Sequence, residues 1–378
     1  MQFTVSKTDL ARELDLMQSA VERKATITVL STVRMKAAEG KLEIRATDLE
    51  IALIASLPAK VKTEGALCVP AAKLTAIVKS LPDGEIAFSL KESHLTVKAG
   101  RAVFNLLTIS DQNFPEIPAL ASVFATLPGS LLRSLIERTS FAISKEESRY
   151  TLNAALFELK GSTVRAITTD GHRLSVVESK AGDGDQGPGE SETQTLFPSN
   201  CLSVLLRLID SAPGNALVEM GQDDRHLLFT VAGRQLVARK ISGQFPKWEA
   251  VLPKDNTVSV ELDCKALTSA LERVLLLADE RTNAVRLNLG NGQLQVSCTS
   301  SELGDAEEEI TVGDCPVFGE IGFNGRYLLD FLKTAGTENI RLSLKDDQSP
   351  AEFSPVFART DDDARTLSQR YVVMPMRI

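Results

Sequence analysis

The stretch FNGRYLLDFLKTAGTENIRLSL, Phe323–Leu344, decides the fold, because its pattern has already occurred twice upstream. It reads as an amphipathic helix of about three turns, a break at glycine, and a strand that alternates apolar and polar residues. VPAAKLTAIVKSLPDGEIAFSL from Val69 and FPSNCLSVLLRLIDSAPGNALVEM from Phe197 have the same order, and the three starts lie 128 and 126 residues apart. A fixed period of this size is the mark of a repeated structural unit.

Working outward, each copy has a matching front half. SKTDLARELDLMQSAVERK, PGSLLRSLIERTSFAIS and DCKALTSALERVLLLADE all carry apolar residues at spacings of three and four, so the first helix is expected over residues 7–24. Polar turns follow at Glu39-Gly40, Lys160-Gly161 and Asn291-Gly292, where a tight hairpin calls for positive φ. The strands KLEIRATDLEIAL, TVRAITTDGHRLSVV and QLQVSCTSSEL come next. VFNLLTISDQNFPEIP and VARKISGQFPKWEAVLP close the first two copies, with Pro115 and Pro246 131 residues apart. The expectation is an α+β chain of three repeated domains, 1–121, 122–252 and 253–378, each with two helices packed on antiparallel sheets. The insertion AGDGDQGPGESETQT (181–195) reads as a disordered surface loop in the second domain.

The bulk numbers agree with a globular chain. Of 378 residues, 43% are apolar, and no apolar run reaches the ~20 residues of a membrane helix. The acidic N-terminus has no signal-peptide core, which points to a cytoplasmic protein without membrane attachment. Five cysteines (Cys68, Cys201, Cys264, Cys298, Cys315) show no paired spacing and read as reduced core thiols; neither a metal site nor a cofactor is expected.

A net charge of −8 disfavours phosphate binding in sum. The six expected helices nevertheless total +5, so they can line one surface attractive to phosphates on an acidic body. Three repeats that make half a circle need a second copy to close it. Such a ring would hold DNA without reading bases, and no base-reading motif is present. An aromatic content of 5% argues against stacking on single strands.

One segment suggests chemistry: TDGHRLSVV, Thr169–Val177, sets Asp170, His172 and Arg173 together after an apolar run. An acid–base enzyme using His172 and Asp170 is one rival reading; an interaction protein without DNA is another. No nucleophile motif, phosphate loop or metal spacing supports the enzyme, and Asp-Gly before a strand favours a turn.

RATDLE at Arg45, TDGHRL at Thr169, FP followed by VLP over Phe245–Pro253, GFNGRYLLDFL at Gly322 and the terminal YVVMPMRI together resemble the bacterial β sliding clamp family, the β subunit of DNA polymerase III. The resemblance spans the whole chain. It implies three DNA-clamp domains and a head-to-tail dimer ring around double-stranded DNA, helices inside and sheets outside, with no catalytic activity. It also implies partners: the DNA polymerase III catalytic subunit, the clamp loader complex, and, through short linear peptides, translesion polymerases, mismatch-repair proteins and DNA ligase.

Carried over by motif, the peptide pocket comprises Leu152, Thr169, Gly171, His172, Arg173, Leu174, Pro246, Val251, Asn324, Tyr327, Val372, Val373, Met374, Pro375, Met376 and Arg377. Arg173, Arg377 and Asn324 would fix the polar ends of the peptide. The first repeat has TDLEIAL at the same place, which suggests a site confined to one repeat. The chain departs from the family pattern at Ala250, where an Arg is common, at Thr282, where an aromatic can stand, over 348–353, and at the terminal Ile378. For DNA the candidates are Arg23, Lys24, Lys79, Arg133, Arg138, Arg149, Tyr150, Arg207 and Arg273. For the dimer seam, Phe104 and Leu106 would meet Leu276 and Leu277, and Lys73 and Arg101 would pair with Asp305, Glu307 and Glu308.

Overall fold

Hairpins dominate the chain, and the glycine turns are formed as the sequence requires: Gly40, Gly161 and Gly292 have φ of 73°, 57° and 74°. The computed structural model describes residues 1–22, 26–118, 122–180, 192–313, 317–357 and 367–377. Its contacts gather into two units, Met1–Leu131 with Asn200–Lys240, and Leu132–Ser199 with Ile241–Ile378. The cut passes through the second repeat, because each unit owns one large sheet shared between neighbouring repeats.

In the first unit the large sheet has eight antiparallel strands, in the order Val123–Pro128, Leu217–Gln222, His226–Val231, Arg234–Arg239, Ile51–Pro58, Lys41–Thr47, Thr32–Ala38 and Gly65–Pro70. The seam between repeats is the pairing of Arg234–Arg239 with Ile51–Pro58, in which Gln235 faces Ile54 and Ala238 faces Ile51. A second, five-stranded sheet runs Lys60–Thr63, Gln2–Ser6, Glu85–Lys91, His94–Ala99 and Ala102–Leu107.

The second unit repeats the scheme. Its eight strands are Glu192–Pro198, Ala154–Lys160, Thr163–Thr169, Arg173–Lys180, Ser368–Val373, Ala351–Val356, Asn339–Leu344 and Val258–Asp263. Here the seam joins Arg173–Lys180 to Ser368–Val373, with Leu174 opposite Val372. The smaller sheet runs Gly304–Thr311, Gln293–Ser300, Ala284–Gly290 and Gly319–Asn324.

Among the described residues six α-helices accompany the sheets: α1 Lys7–Met17, α2 Ala71–Ser80, α3 Gly129–Glu137, α4 Ser199–Ser211, α5 Cys264–Val274 and α6 Gly325–Ala335. Helix α6 buries Leu328, Leu329, Phe331, Leu332 and Ala335, the stripe that three-and-four spacing predicts. Asn324 caps its start by accepting the Arg326 N–H, and Gly336 ends it at φ 66°. Phe331 stacks on Tyr371 with centroids 5.0 Å apart, tying the helix to the seam. In the first unit α1 packs against α2 and buries Glu13, which is bonded to Arg234 through both carboxylate oxygens, at 2.7 and 2.6 Å. Burial acts to raise the Glu13 carboxyl, but hydrogen bonds from Arg234 and Arg12 outweigh it and hold it below the usual glutamate range.

Several expectations are corrected. The first helix ends at Met17 and passes into a 3-10 turn, Gln18–Ala20, rather than running to 24. Within the observed helix bounds the net charge falls from +5 to +3. The insertion at 181–195 gives its last residues to the strand Glu192–Pro198, which pairs with Ala154–Lys160; 181–191 lie outside the described residues. Cys68, Cys201, Cys264 and Cys298 are buried free thiols, with burial pushing Cys68 up to about 11; Cys315 is outside the described residues.

Candidate functional site

Thr169-Asp170-Gly171-His172 is a turn closed by its own side chains. The Thr169 hydroxyl donates to the Arg173 carbonyl at 2.6 Å and accepts the Gly171 N–H at 3.0 Å. Asp170 Oδ1 accepts the His172 and Arg173 N–H groups, and Oδ2 accepts Arg173 Nε at 2.9 Å. Both carboxylate oxygens are therefore spent on the turn, which removes the base an acid–base pair with His172 would need. The turn itself belongs to the fold: Thr47 and Asp48 make the same bonds to Leu49, Glu50 and Ile51. Confinement to one repeat holds only for His172 and Arg173. Leu49 takes φ 77° where the second copy has Gly171 at φ 91°.

Gly171 has a second constraint, since a Cβ there would sit 2.7 Å from Arg149 Nη1. Arg149 donates to the Asp170 carbonyl at 3.0 Å and pairs with Glu146. The structure thus puts this DNA candidate against the turn.

Behind the turn lies a groove of about 140 Å³ lined by Leu152, Thr169, Gly171, His172, Arg173, Leu174, Pro246, Trp248, Val251, Val372 and Met374. The seam pairs Leu174 with Val372, so two repeats supply one apolar floor. The C-terminal segment is fastened on both sides, Met374 N–H to the His172 carbonyl at 2.9 Å and Met376 N–H to the Gly322 carbonyl at 2.8 Å. Trp248, the chain's single tryptophan, was missed by motif. Its position inside FPKWEAVLP was the available signal. Arg165 sits 5.5 Å over its ring and is fixed by Glu178 and Glu158.

The other expected wall residues divide between the groove and its surroundings. Arg173 lines the groove with its guanidinium already engaged: it donates to Asp170, to Asp330 at 2.8 Å and to the Phe141 carbonyl at 2.6 Å, and lies 4.2 Å over the Tyr327 ring. Burial works against its charge, but Tyr371, Asp330 and Asp170 together outweigh this and raise its pKa above the usual arginine value. Asn324 caps α6, Tyr327 packs under Arg173, and Val373 is fully buried in the core. Pro375, Met376 and Arg377 continue past the groove without lining it. Thr282 is held in a turn by Asp279.

The remaining candidates divide. Lys79 and Arg207 share Asp15, the latter at 3.5 Å; Arg133 pairs with Glu137 on its own helix. Arg138 is not available to DNA: its guanidinium donates to the Ala335 carbonyl and Gln369, and burial lowers its pKa. Arg273 and Glu308 pair with each other within the chain. Tyr150 is exposed, and Arg23 and Lys24 lie outside the described residues.

Two of the eight edge strands among the described residues carry seam candidates. Ala102–Leu107 ends one sheet and Gly304–Thr311 ends the other. On the first, Phe104 and Leu106 are half-buried while Val103 and Leu107 face outward, at 54% and 66% exposure. On the second, Asp305, Glu307 and Glu309 are exposed. Leu276 stands out at 77% exposure, whereas Leu277 packs on the core. Lys73 and Arg101 are exposed and have no ion pair among the described residues.

Comparison with known proteins places these features. Three family descriptions match in order: DNA polymerase III beta subunit, N-terminal domain over 1–118, central domain over 126–247 and C-terminal domain over 249–377. The chain is 38% identical to the beta sliding clamp of Pseudomonas putida over 383 residues and 32% identical to that of Escherichia coli over 381, covering 100% of both proteins in each case. A sliding clamp of Pseudomonas aeruginosa, solved bound to griselimycin, superposes with a TM-score of 0.90 at 35% identity and full coverage of both chains. At 24% identity, a clamp structure from Bacillus subtilis shares the fold with a TM-score of 0.90. The chain belongs to the DNA polymerase III beta subunit family, the beta sliding clamps, which are non-catalytic processivity factors.

Proposed function

We propose that two copies of this chain close head to tail into a ring around duplex DNA and tether the replicative polymerase to it in the cytoplasm. One observation carries the reading. Each repeat has a strand of the type Ile51–Pro58, Arg173–Lys180 or Gly304–Thr311, and a strand of the type Ala102–Leu107, Arg234–Arg239 or Ser368–Val373. Two of the three possible pairings are made within the chain. The unused strands, Ala102–Leu107 and Gly304–Thr311, are open edges, which invite pairing with another chain. The acidic edge Asp305–Glu309 repels its own copy and suits the side that carries Lys73 and Arg101. The contact is therefore heterologous, and two such contacts close a ring.

DNA inside the ring is held by phosphate attraction to Lys79, Arg133, Arg207, Arg149 and Tyr150, with Arg23 and Lys24. Surface ion pairs such as Lys79–Asp15 contribute at most about 1 kcal/mol, so phosphate can displace them. The groove at Trp248 docks short apolar peptides of the DNA polymerase III catalytic subunit, the clamp loader, translesion polymerases, mismatch-repair proteins and DNA ligase. Tethering then raises the polymerase's effective concentration at the primer end.

The seam is tested by sedimentation of two variants, one with Val103→Asp and Leu107→Asp, the other with Asp305→Lys, Glu307→Lys and Glu309→Lys. Each alone should sediment as a monomer, and the mixture should form a dimer through its one intact seam. If only one variant dissociates, the contact joins like edges and the head-to-tail reading is wrong.

A further inference from the structure

The groove does not stop at Val251 and Met374. Both residues also wall a second hollow of about 340 Å³, which therefore adjoins the groove. Their chemistry differs. The groove is apolar, whereas the hollow is lined by Lys254 and Lys345, with Asp255, Asn256 and Ser349. Both lysines are exposed and have no ion pair among the described residues. Asp346, next to Lys345, is held by its own loop: its Oδ1 accepts the Gln348 and Ser349 N–H groups, and hydrogen bonding from Ser349 and Gln348, with a smaller contribution from the Lys345 charge, holds it below the usual carboxylate range. Asn256 has a side-chain oxygen without a hydrogen-bond partner. Ala250 lines the hollow and not the groove, and contributes only a methyl group to its wall.

We propose that this hollow is a charged side pocket that receives an acidic residue flanking the apolar anchor of a docked peptide. The proposal rests on the reading of the groove as a peptide site. With Asp255 the one carboxylate among the hollow's lining residues, Lys254 and Lys345 leave it net positive, which complements a carboxylate carried one or two residues from the anchor. A partly exposed charge-assisted bond of this kind is worth about five- to ten-fold in affinity at low salt.

The test uses synthetic peptides with one apolar anchor pair and either Glu or Gln, placed on each side of it in turn. Binding is read by Trp248 fluorescence and calorimetry. At least one Glu peptide should bind about five- to ten-fold tighter than its Gln twin, with the advantage shrinking as salt rises. The advantage should vanish in the Lys254→Glu, Lys345→Glu protein and persist in a Lys265→Glu control, while Gln peptides bind all three proteins equally. Equal binding of Glu and Gln peptides to the unaltered protein would overturn the side pocket and leave the groove standing. Failure of every peptide to bind would remove the groove reading, and this inference with it.

Discussion

Gly171 carries two requirements at once, a φ of 91° and room for the Arg149 guanidinium. Gly171→Ala should cost about 1–2 kcal/mol from the left-handed backbone alone and should push Arg149 off the turn. Thermal unfolding and peptide titration of the variant check this; an unchanged melting temperature would show that the backbone relaxes. Met374 tests the groove more directly, since it is 41% exposed and its loss leaves the core intact. Met374→Asp should weaken a docked apolar peptide about thirty-fold, the equivalent of about 2 kcal/mol for an uncompensated polar group under an apolar ligand. Unaltered affinity would place the peptide elsewhere. At this scale the motif TDGHRL located both the turn and its groove-lining residues Thr169, Gly171, His172, Arg173 and Leu174, but not the partners that engage the Arg173 guanidinium. Arg173 reads as an exposed recognition residue, and only three-dimensional packing brings Asp330 and the Phe141 carbonyl to neutralise it. Trp248 escaped because its role depends on Arg165, 83 positions earlier in the sequence.

Helix α1 shows how an element is placed by charge as well as by its apolar face. Glu13 and Arg234 lie 221 residues apart and are both buried, so losing one partner leaves the other charged in the interior. Glu13→Gln should destabilise by about 3 kcal/mol at neutral pH. Because the folded pKa is depressed, the stabilisation is present above the ordinary glutamate range and lost as pH falls through the lowered value. Denaturant unfolding followed from neutral pH into acid should therefore show a shallower loss of stability in the variant; parallel curves would contradict the linkage. Helices, hairpins and their order were legible because periodicity and turn glycines are local signals. Helix ends were less so: residues 18–24 keep an amphipathic look, yet the chain leaves α-geometry after Met17. Which strand pairs with which across repeats was not legible at all, since strands of alternating pattern are interchangeable until register is fixed.

For the whole molecule, three copies of one unit leave one strand of each pairing type unused, and the proposed ring pairs these two strands between chains. The helix charge, reduced to +3 by the true helix bounds, is a modest attraction. Retention on DNA should accordingly depend on closure of the ring more than on affinity for phosphate. The direct measurement is to load the protein on nicked circular duplex with a clamp loader and ATP, remove free protein, and then linearise half the sample. Retention on circles with rapid loss from linear molecules is the result a sliding ring predicts. Equal retention on both would mean ordinary electrostatic binding and would contradict the closed ring.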